Sequence, residues 1–403
     1  MLCQFSVKNF RCFRDEITLD MQATSITEKE ESLIVGDDRE KYLSLAVIYG
    51  ANGGGKSSVL SALYSLHLKI MRPICAVKCD NRNCNDRSFC MERSVNIPIE
   101  PFAFSKDSSR MPTEYELFFR TNTKEYQYQI EIQNNKIIYE ALFQKKILGS
   151  RYSPVFTRKG SNICLKGTLK SYDVSELSKN LPLLSYLIIT HSRNAVLKDV
   201  CSWFEFGIDF RNYSLPREEA RIALALDNKD LILQMMKEMD IGIDDYRVEE
   251  SDKEVEIYTL HKINGKNTEL TLEDESSGTI KIFGLLPHIA DSVIRGTTLV
   301  IDELDSKLHP FLLKYIIELY SNPSKNRNGA QLIFTSHDLS TMSSDCFRRD
   351  EVWYVAKAED GASKLYSLVE FARKDASYNK QYLEGKYGAC PYLQRLIDWS
   401  GVE

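Results

Sequence analysis

The chain opens with alternation. "CQFSVKNFRCF" (3–13) sets Phe5, Val7 and Phe10 on one side with polar residues between, the period of a half-buried strand. "YLSLAVIYG" (42–50) is a short apolar, β-branched run ending in glycine, the pattern of a strand buried on both faces. "KSSVLSALYSLHLKI" (56–70) then spaces Val59, Leu60, Leu63, Leu66 and Ile70 at helical intervals. A strand, a glycine turn and a helix therefore follow one another.

From 71 to 99 the periodicity breaks down in a stretch rich in cysteine and asparagine, which reads as a surface insertion. Between 100 and about 165, "EYELFFRT", "EYQYQIEIQ", "KIIYEALFQ" and "PVFTRKG" read as successive antiparallel strands, with Asn134-Asn135 as one of the turns. Helical spacing returns over 181–208 and 218–239. "YRVEE" and "EVEIYTLHK" add two strands before a second cluster of motifs at 271–403. The expected organisation is one composite domain over 1–403: an N-terminal lobe (1–70), the Cys-rich insertion (71–99), antiparallel strands with a helical lobe (100–270), and the motif-bearing segment (271–403). No repeat of fixed period and no sustained heptad run is present.

The composition is that of an ordinary globular protein, with 43% hydrophobic and 27% charged residues. A net charge of −5 supplies no bulk basic field, so any nucleic-acid contact has to come from a local patch. "MLCQFSVKNF" lacks the charged-then-apolar pattern of a signal peptide, and no run reaches the roughly 18 apolar residues that span a bilayer. The ten cysteines are dispersed over 403 residues, which fits reduced thiols and a cytoplasmic location.

Four stretches carry chemistry. Gly50-Ala51-Asn52-Gly53-Gly54-Gly55-Lys56-Ser57 fits G-x-x-x-x-G-K-[ST] and lies between a strand and a helix, where a phosphate loop has to lie. Its glycines let backbone N–H groups turn toward phosphates, and the following helix N-terminus, with Ser58, adds positive potential. Lys56 is suited to the outer phosphates and the Ser57 hydroxyl to Mg²⁺. "TLVIDE" (298–303) is a strand that delivers Asp302, expected to hold Mg²⁺ through its water shell, to its carboxyl end. Glu303 follows as a candidate base for an attacking water. "AQLIFTSHD" (330–338) is a third strand ending at His337, a candidate contact to the terminal phosphate. Finally, Glu275-Ser276-Ser277-Gly278-Thr279 precedes a helix with Ile282, Phe283, Leu285 and Leu286 on its apolar face. Ser277 or Thr279 is the expected cap.

In this order the four stretches resemble the head of ABC-type ATPases. That resemblance makes 50–57 the Walker A loop, 275–279 the signature, 298–303 the Walker B strand, Leu304-Asp305-Ser306 the D-loop and His337 the switch histidine. It implies an α/β P-loop head with a mixed central sheet, an added antiparallel β-subdomain and a helical lobe. It also implies ATP and Mg²⁺ as ligands and a homodimer in which Ser276, Ser277 and Gly278 of one copy close over ATP held by the other. "FSVKNFRCF", "ESSGT", "DELDSKLHP" and "YLEGKYGACPYL" narrow the likeness to stand-alone bacterial ATPases of abortive infection and phage defence, the RloA and AbiLi type. These are related to the ATPases of the PARIS and Septu systems and to the overcoming-lysogenisation-defect nucleases. Such proteins are commonly encoded beside a nuclease or toxin-like effector, here expected to be of TOPRIM or HNH type, and assembly beyond the dimer is left open. Only some 65 residues follow His337, too few for a TOPRIM domain, so a cutting activity is expected on a separate chain. The signature is ESSGT where transporters have LSGGQ, and no Q-loop glutamine is assigned. From RecF-like heads the resemblance offers Arg11 or Arg14 as base or ribose contacts.

"CAVKCDNRNCNDRSFC" (75–90) holds Cys75, Cys79, Cys84 and Cys90. Four thiols are the right number for zinc, but their x3, x4 and x5 spacings lack a C-x₂-C pair. A zinc knuckle and a polar insertion with reduced thiols both remain open. His309-Pro310 reads as the turn into the next helix, and Trp203 with Phe204 as core. The phosphate loop and its acids point to an ATPase, and the family resemblance implies one that senses phage and controls an effector, with a RecF-like DNA-binding ATPase as the alternative. Absent membrane segments argue against a transporter motor, and the Asp302-Glu303 pair argues for water over a kinase acceptor.

Overall fold

The computed structural model describes residues 1–78, 99–211, 228–250, 255–371 and 377–390. The alternating N-terminal run forms β1 (Leu2–Lys8), which pairs antiparallel with β2 (Ile17–Asp20). The short β3 (Ile34–Val35) and β4 (Lys41–Tyr42) make a separate hairpin. On its other edge β1 pairs with β6 (Thr113–Arg120), and β7 (Lys124–Gln133), β8 (Lys136–Lys146), β9 (Ser153–Lys159) and β10 (Asn162–Leu165) follow in order. The result is a seven-stranded antiparallel sheet. Tyr115, Leu117 and Phe119 of β6 and Tyr126, Tyr128 and Ile130 of β7 face inward and are buried. Asn134 and Asn135 both take positive φ at the β7–β8 turn, as a tight hairpin requires.

The second sheet is built from β5 (Leu45–Gly50), β11 (Ile208–Arg211), β15 (Thr298–Ile301), β16 (Gln331–Thr335), β17 (Val352–Lys357) and β18 (Ser363–Ser367), in the order β11-β15-β16-β5-β17-β18. All neighbours run parallel except β17 and β18. Its central strands β5, β15 and β16 read as continuous apolar runs because each feeds two cores. Ala46, Ile48, Val300, Ile333 and Val355 pack into the core shared with the antiparallel sheet. Leu45, Val47, Leu299, Ile301, Leu332 and Phe334 pack into the other. Burial on both faces makes these positions costly to truncate, about 2–5 kcal/mol for an Ile or Leu cut to Ala.

Helix α1 (Lys56–Lys78) fills the first core with Val59, Leu63, Leu66, Ile70 and Ile74. It runs two turns beyond the expected end at 70 because Met71 and Ile74 continue the buried stripe through Pro73. The expected helical stretch 181–208 is instead divided. α2 (Leu183–Thr190) ends at His191, and α3 (Ala195–Ser202) starts at Asn194, whose side chain accepts from the N–H groups of Val196 and Leu197. A π turn over Trp203–Gly207 then leads into β11. Trp203 is core, stacked on Phe119 with ring centroids 4.2 Å apart. At the N-terminus of α2, Pro182 cannot cap with its side chain. The buried Glu140 carboxylate of β8 accepts from the N–H groups of Leu183 and Leu184 at 2.6 and 2.9 Å and so ties helix to sheet.

The second core carries α4 (Lys229–Glu238), α5 (Ser277–Arg295) and α6 (Pro310–Ser321). A three-stranded antiparallel sheet of β12 (Asp245–Glu250), β13 (Val255–Ile263) and β14 (Lys266–Thr271) lies just before α5 in the chain, and α7 (Tyr378–Leu383) is the last described helix. The chain has an α/β fold: a mixed central sheet, an antiparallel β-subdomain and helices around them. No described helix is long and apolar enough to cross a membrane.

Candidate nucleotide-binding site

Strands β5, β15 and β16 lie side by side and parallel, so their carboxyl ends deliver three motifs to one edge of the sheet. The phosphate loop leaves β5 at Gly50 and enters α1 at Lys56. Gly55 has φ of 114°, and a Cβ there would lie 2.5 Å from Cys12 Sγ, so neither the backbone angle nor the space admits a side chain. Lys56 is buried, and its ammonium donates to the carbonyl oxygens of Gly50 (3.0 Å) and Ala51 (3.3 Å). Burial pulls the Lys56 pKa down, and the carboxylates of Asp302, Glu303 and Asp305 oppose that shift. The lysine is thus a cation held over the loop among three acids.

Ser57 and Asp302, 245 residues apart in sequence, meet directly: the Ser57 hydroxyl donates to Asp302 Oδ1 at 3.1 Å. The same Oδ1 accepts from the Thr335 hydroxyl at 2.6 Å. Thr335 Oγ1 in turn accepts from the Glu303 N–H at 2.7 Å. One buried hydroxyl on β16 therefore fixes both acidic residues at the end of β15. Glu303 has φ of 50°, a left-handed conformation that costs a non-glycine residue about 1–3 kcal/mol unless its surroundings impose it. Asp305 Oδ2 accepts from the His337 N–H at 3.0 Å, while its Oδ1 is buried with no hydrogen-bond partner among the described residues.

These groups line a cavity of about 760 Å³, whose walls include Asn52, Gly53, Gly55, Lys56, Ser57 and Ser58 on one side and Glu303, Asp305, Ser306 and His337 on the other. The donor set fits a magnesium–nucleotide. A hydroxyl and a carboxylate sit together for a hard cation, beside a buried lysine and the amides of a glycine loop for phosphates. A second cleft of about 600 Å³ lies near Gly296 and Gly329, at the amino-terminal end of the same strands, where parallel sheets do not present ligands.

Other expected residues fall elsewhere. Gly54 is buried in the loop, outside the cavity wall. Ser276 and Ser277 are exposed and, with Gly278, do not line this cavity. The cap of α5 is Ser276, where Ser277 or Thr279 was expected: its hydroxyl accepts from the Thr279 N–H at 3.1 Å, the N3 geometry that only the residue before the first turn can reach. Gly278 packs on the segment after Walker B, where a Cβ would lie 2.8 Å from the Lys307 carbonyl. Glu275, just before the cap, accepts from Thr259 Oγ1 (2.5 Å) and meets His261 Nε2 (2.6 Å), which anchors the signature to β13.

Arg11 and Arg14 are also outside the cavity wall. Arg11 forks onto Glu100, and Arg14 pairs with Asp15 and Asp360. The residue between them, Cys12, does line the cavity. Cys79, Cys84 and Cys90 lie outside the described residues. Cys75 lies within α1, half-buried, and no group of three or more His, Cys, Asp or Glu side chains gathers as a metal cage among the described residues, so nothing there supports zinc. His309 caps α6, its Nδ1 accepting from the Phe311 N–H.

Sequence reasoning missed Thr335 and Lys281. Thr335 was signalled as a polar residue closing an apolar strand two positions before His337. Lys281 was signalled as a single cation on the apolar stripe of α5. It is buried, and its ammonium donates to the carbonyls of Glu303, Leu304 and Ser306.

A family model described as "AAA domain, putative AbiEii toxin, Type IV TA system" matches residues 45–343, a span that runs from β5 past His337. No curated protein matches the chain. Among solved structures, the SMC head domain from Thermotoga maritima is similar at 15% identity and a TM-score of 0.42, covering 91% of this chain and 98% of that one. An Smc head domain from Pyrococcus furiosus, with an extended coiled coil and bound to the C-terminal domain of ScpA, is similar at 11% identity and a TM-score of 0.39, covering 96% and 98%.

Proposed function

The chain belongs to this AAA-domain family, and from that premise we propose that it is an ATP-hydrolysing P-loop ATPase that works as a homodimer and governs a separate toxin-like or nuclease effector in phage defence. The observation that carries the reading is the convergence of Lys56, Ser57 and Glu303 on one cavity from two ends of the chain, with Asp302 bonded to Ser57 beside it.

Lys56 holds the outer phosphates of ATP, exchanging its loop carbonyls for them. Ser57 and Asp302 hold Mg²⁺, which when bound offsets phosphate charge. Glu303 orients a water for attack on the terminal phosphate and takes its proton, and His337 contacts that phosphate. Ser276, Ser277 and Gly278 act on ATP in the partner copy. The exposure of Ser276 and Ser277 and the absence of all three from their own cavity wall support this. Turnover is slow and assembly is the output, so ATP occupancy sets whether the effector is held.

The defence role is supported by the family description and by the sequence resemblance. It is tested by purifying Glu303→Gln protein from its native host with ATP, Mg²⁺ and added nuclease, and by identifying what remains bound. A stoichiometric nuclease or toxin-like chain is the expected result. A bare homodimer, retaining DNA when nuclease is omitted, would replace this reading with a RecF-like one.

A further inference from the structure

Lys281 is a buried cation that donates repeatedly to one short segment. From the second turn of α5 its ammonium reaches the carbonyl oxygens of Glu303 (2.8 Å), Leu304 (2.9 Å) and Ser306 (2.7 Å), and the Ser306 hydroxyl (3.0 Å). Only 3% of the residue is exposed. Burying an ammonium is costly unless its donors are used, and here oxygen acceptors surround it. The segment it grips has unusual backbone, since Glu303 and, one residue past its end, Lys307 take left-handed φ. A non-glycine residue stays in that region only where its surroundings hold it. Thr335 Oγ1 holds Glu303 from the N–H side and Lys281 from the carbonyl side, so the peptide units on either side of Glu303 are pinned.

We infer that Lys281 is a positioning residue for ATP hydrolysis: it fixes the main chain of Glu303 and the following loop, and so sets where the Glu303 carboxylate stands over the nucleotide cavity. This rests on the role given to Glu303 above. The link also has a direction. Lys281 lies one turn beyond Gly278, which itself packs on the Lys307 carbonyl, so the signature end of α5 and the acid-bearing loop touch at two points. Movement of the signature against a second copy's nucleotide is therefore passed to Glu303 of the same chain. Nucleotide binding does not depend on this link, because Lys281 contacts neither the phosphate loop nor Asp302 through any of these bonds.

The test uses the full chain as Lys281→Met, which keeps the stem and removes the ammonium, and as Lys281→Gln, with Glu303→Gln alongside. ATP affinity is measured by equilibrium binding and turnover by phosphate release. The expected result is a Kd for ATP within about threefold of the parent and a kcat lower by about 10–100-fold, the loss that a misplaced catalytic group brings. If affinity falls as far as turnover, or if neither variant folds, Lys281 is a packing residue and the inference fails. If turnover stays within about twofold of the parent while Glu303→Gln is inactive, the inference fails and the role of Glu303 stands. If Glu303→Gln turns over at the parental rate, the role of Glu303 fails and the inference with it.

Discussion

Replacing Thr335 with Val removes one oxygen and leaves a side chain of nearly the same shape, so the change isolates the hydroxyl. That oxygen donates to Asp302 at 2.6 Å and accepts from the Glu303 N–H at 2.7 Å, and the residue is fully buried. A hydrogen bond to a charged group contributes about 1.5–3 kcal/mol, and a buried N–H left without an acceptor costs about 1–3 kcal/mol. Asp302 keeps its bond from Ser57 and is half-buried, so water replaces part of the first loss. The net expectation is a destabilisation of about 2–4 kcal/mol. Mg²⁺-dependent turnover should fall with it, since both acids lose their shared anchor. Urea unfolding without nucleotide reads the first quantity, and phosphate release across a Mg²⁺ titration reads the second. Thr335→Ser, which restores the hydroxyl, should recover most of the turnover. If Thr335→Val is within about 0.5 kcal/mol of the parent and turns over normally, the hydroxyl is not what fixes the acids and the reasoning is wrong.

Three further outcomes are expected. Lys56→Ala should abolish ATP binding by calorimetry while leaving the fold intact, because the lysine's own partners are two loop carbonyls. Gly278→Ala should leave ATP binding near the parental value but depress turnover, since its Cβ would press on the Lys307 carbonyl at 2.8 Å; equal activity would remove the packing argument. Burial pushes the Glu351 carboxyl up from 4.5 to about 8. An acid raised in the folded state contributes stability that is present below about 4.5 and lost as pH rises through about 8. Glu351→Gln should therefore become progressively more stable relative to the parent between those limits, by urea unfolding at pH 5, 6.5 and 8, and a flat difference would contradict the shift.

What could be read from the chain follows from how each element is buried. The strands around Tyr115 and Tyr128 alternate because one face is wet, and β5, β15 and β16 are continuously apolar because both faces are dry, so each pattern was visible. β14 was not, because "KNTELT" is exposed almost throughout and has no apolar period to detect. β11 was hidden for a different reason. "IDFR" is four residues long and carries two charges, which pair with each other as Asp209 and Arg211 inside the fold. The split between α2 and α3 turned on Asn194 acting as a cap, a local hydrogen bond that outweighed a long apolar run. At the site, the loop and the acids were legible because their chemistry demands particular residue types at particular spacings. The supports Thr335 and Lys281 act through atoms that only the folded chain brings together, although each stood out as a polar residue in an apolar setting.

The central claim is that ATP closes two copies over a shared site and that Glu303 opens them by hydrolysis. Its most direct test is the mass of the particle in solution, by light scattering, for the parent, Lys56→Ala and Glu303→Gln proteins with and without ATP and Mg²⁺, with phosphate release followed in parallel. The account predicts that Glu303→Gln becomes a stable dimer or larger assembly only with ATP and releases no phosphate, and that Lys56→Ala does not respond. If Glu303→Gln hydrolyses ATP like the parent, or if ATP leaves its mass unchanged, the account is contradicted at its base.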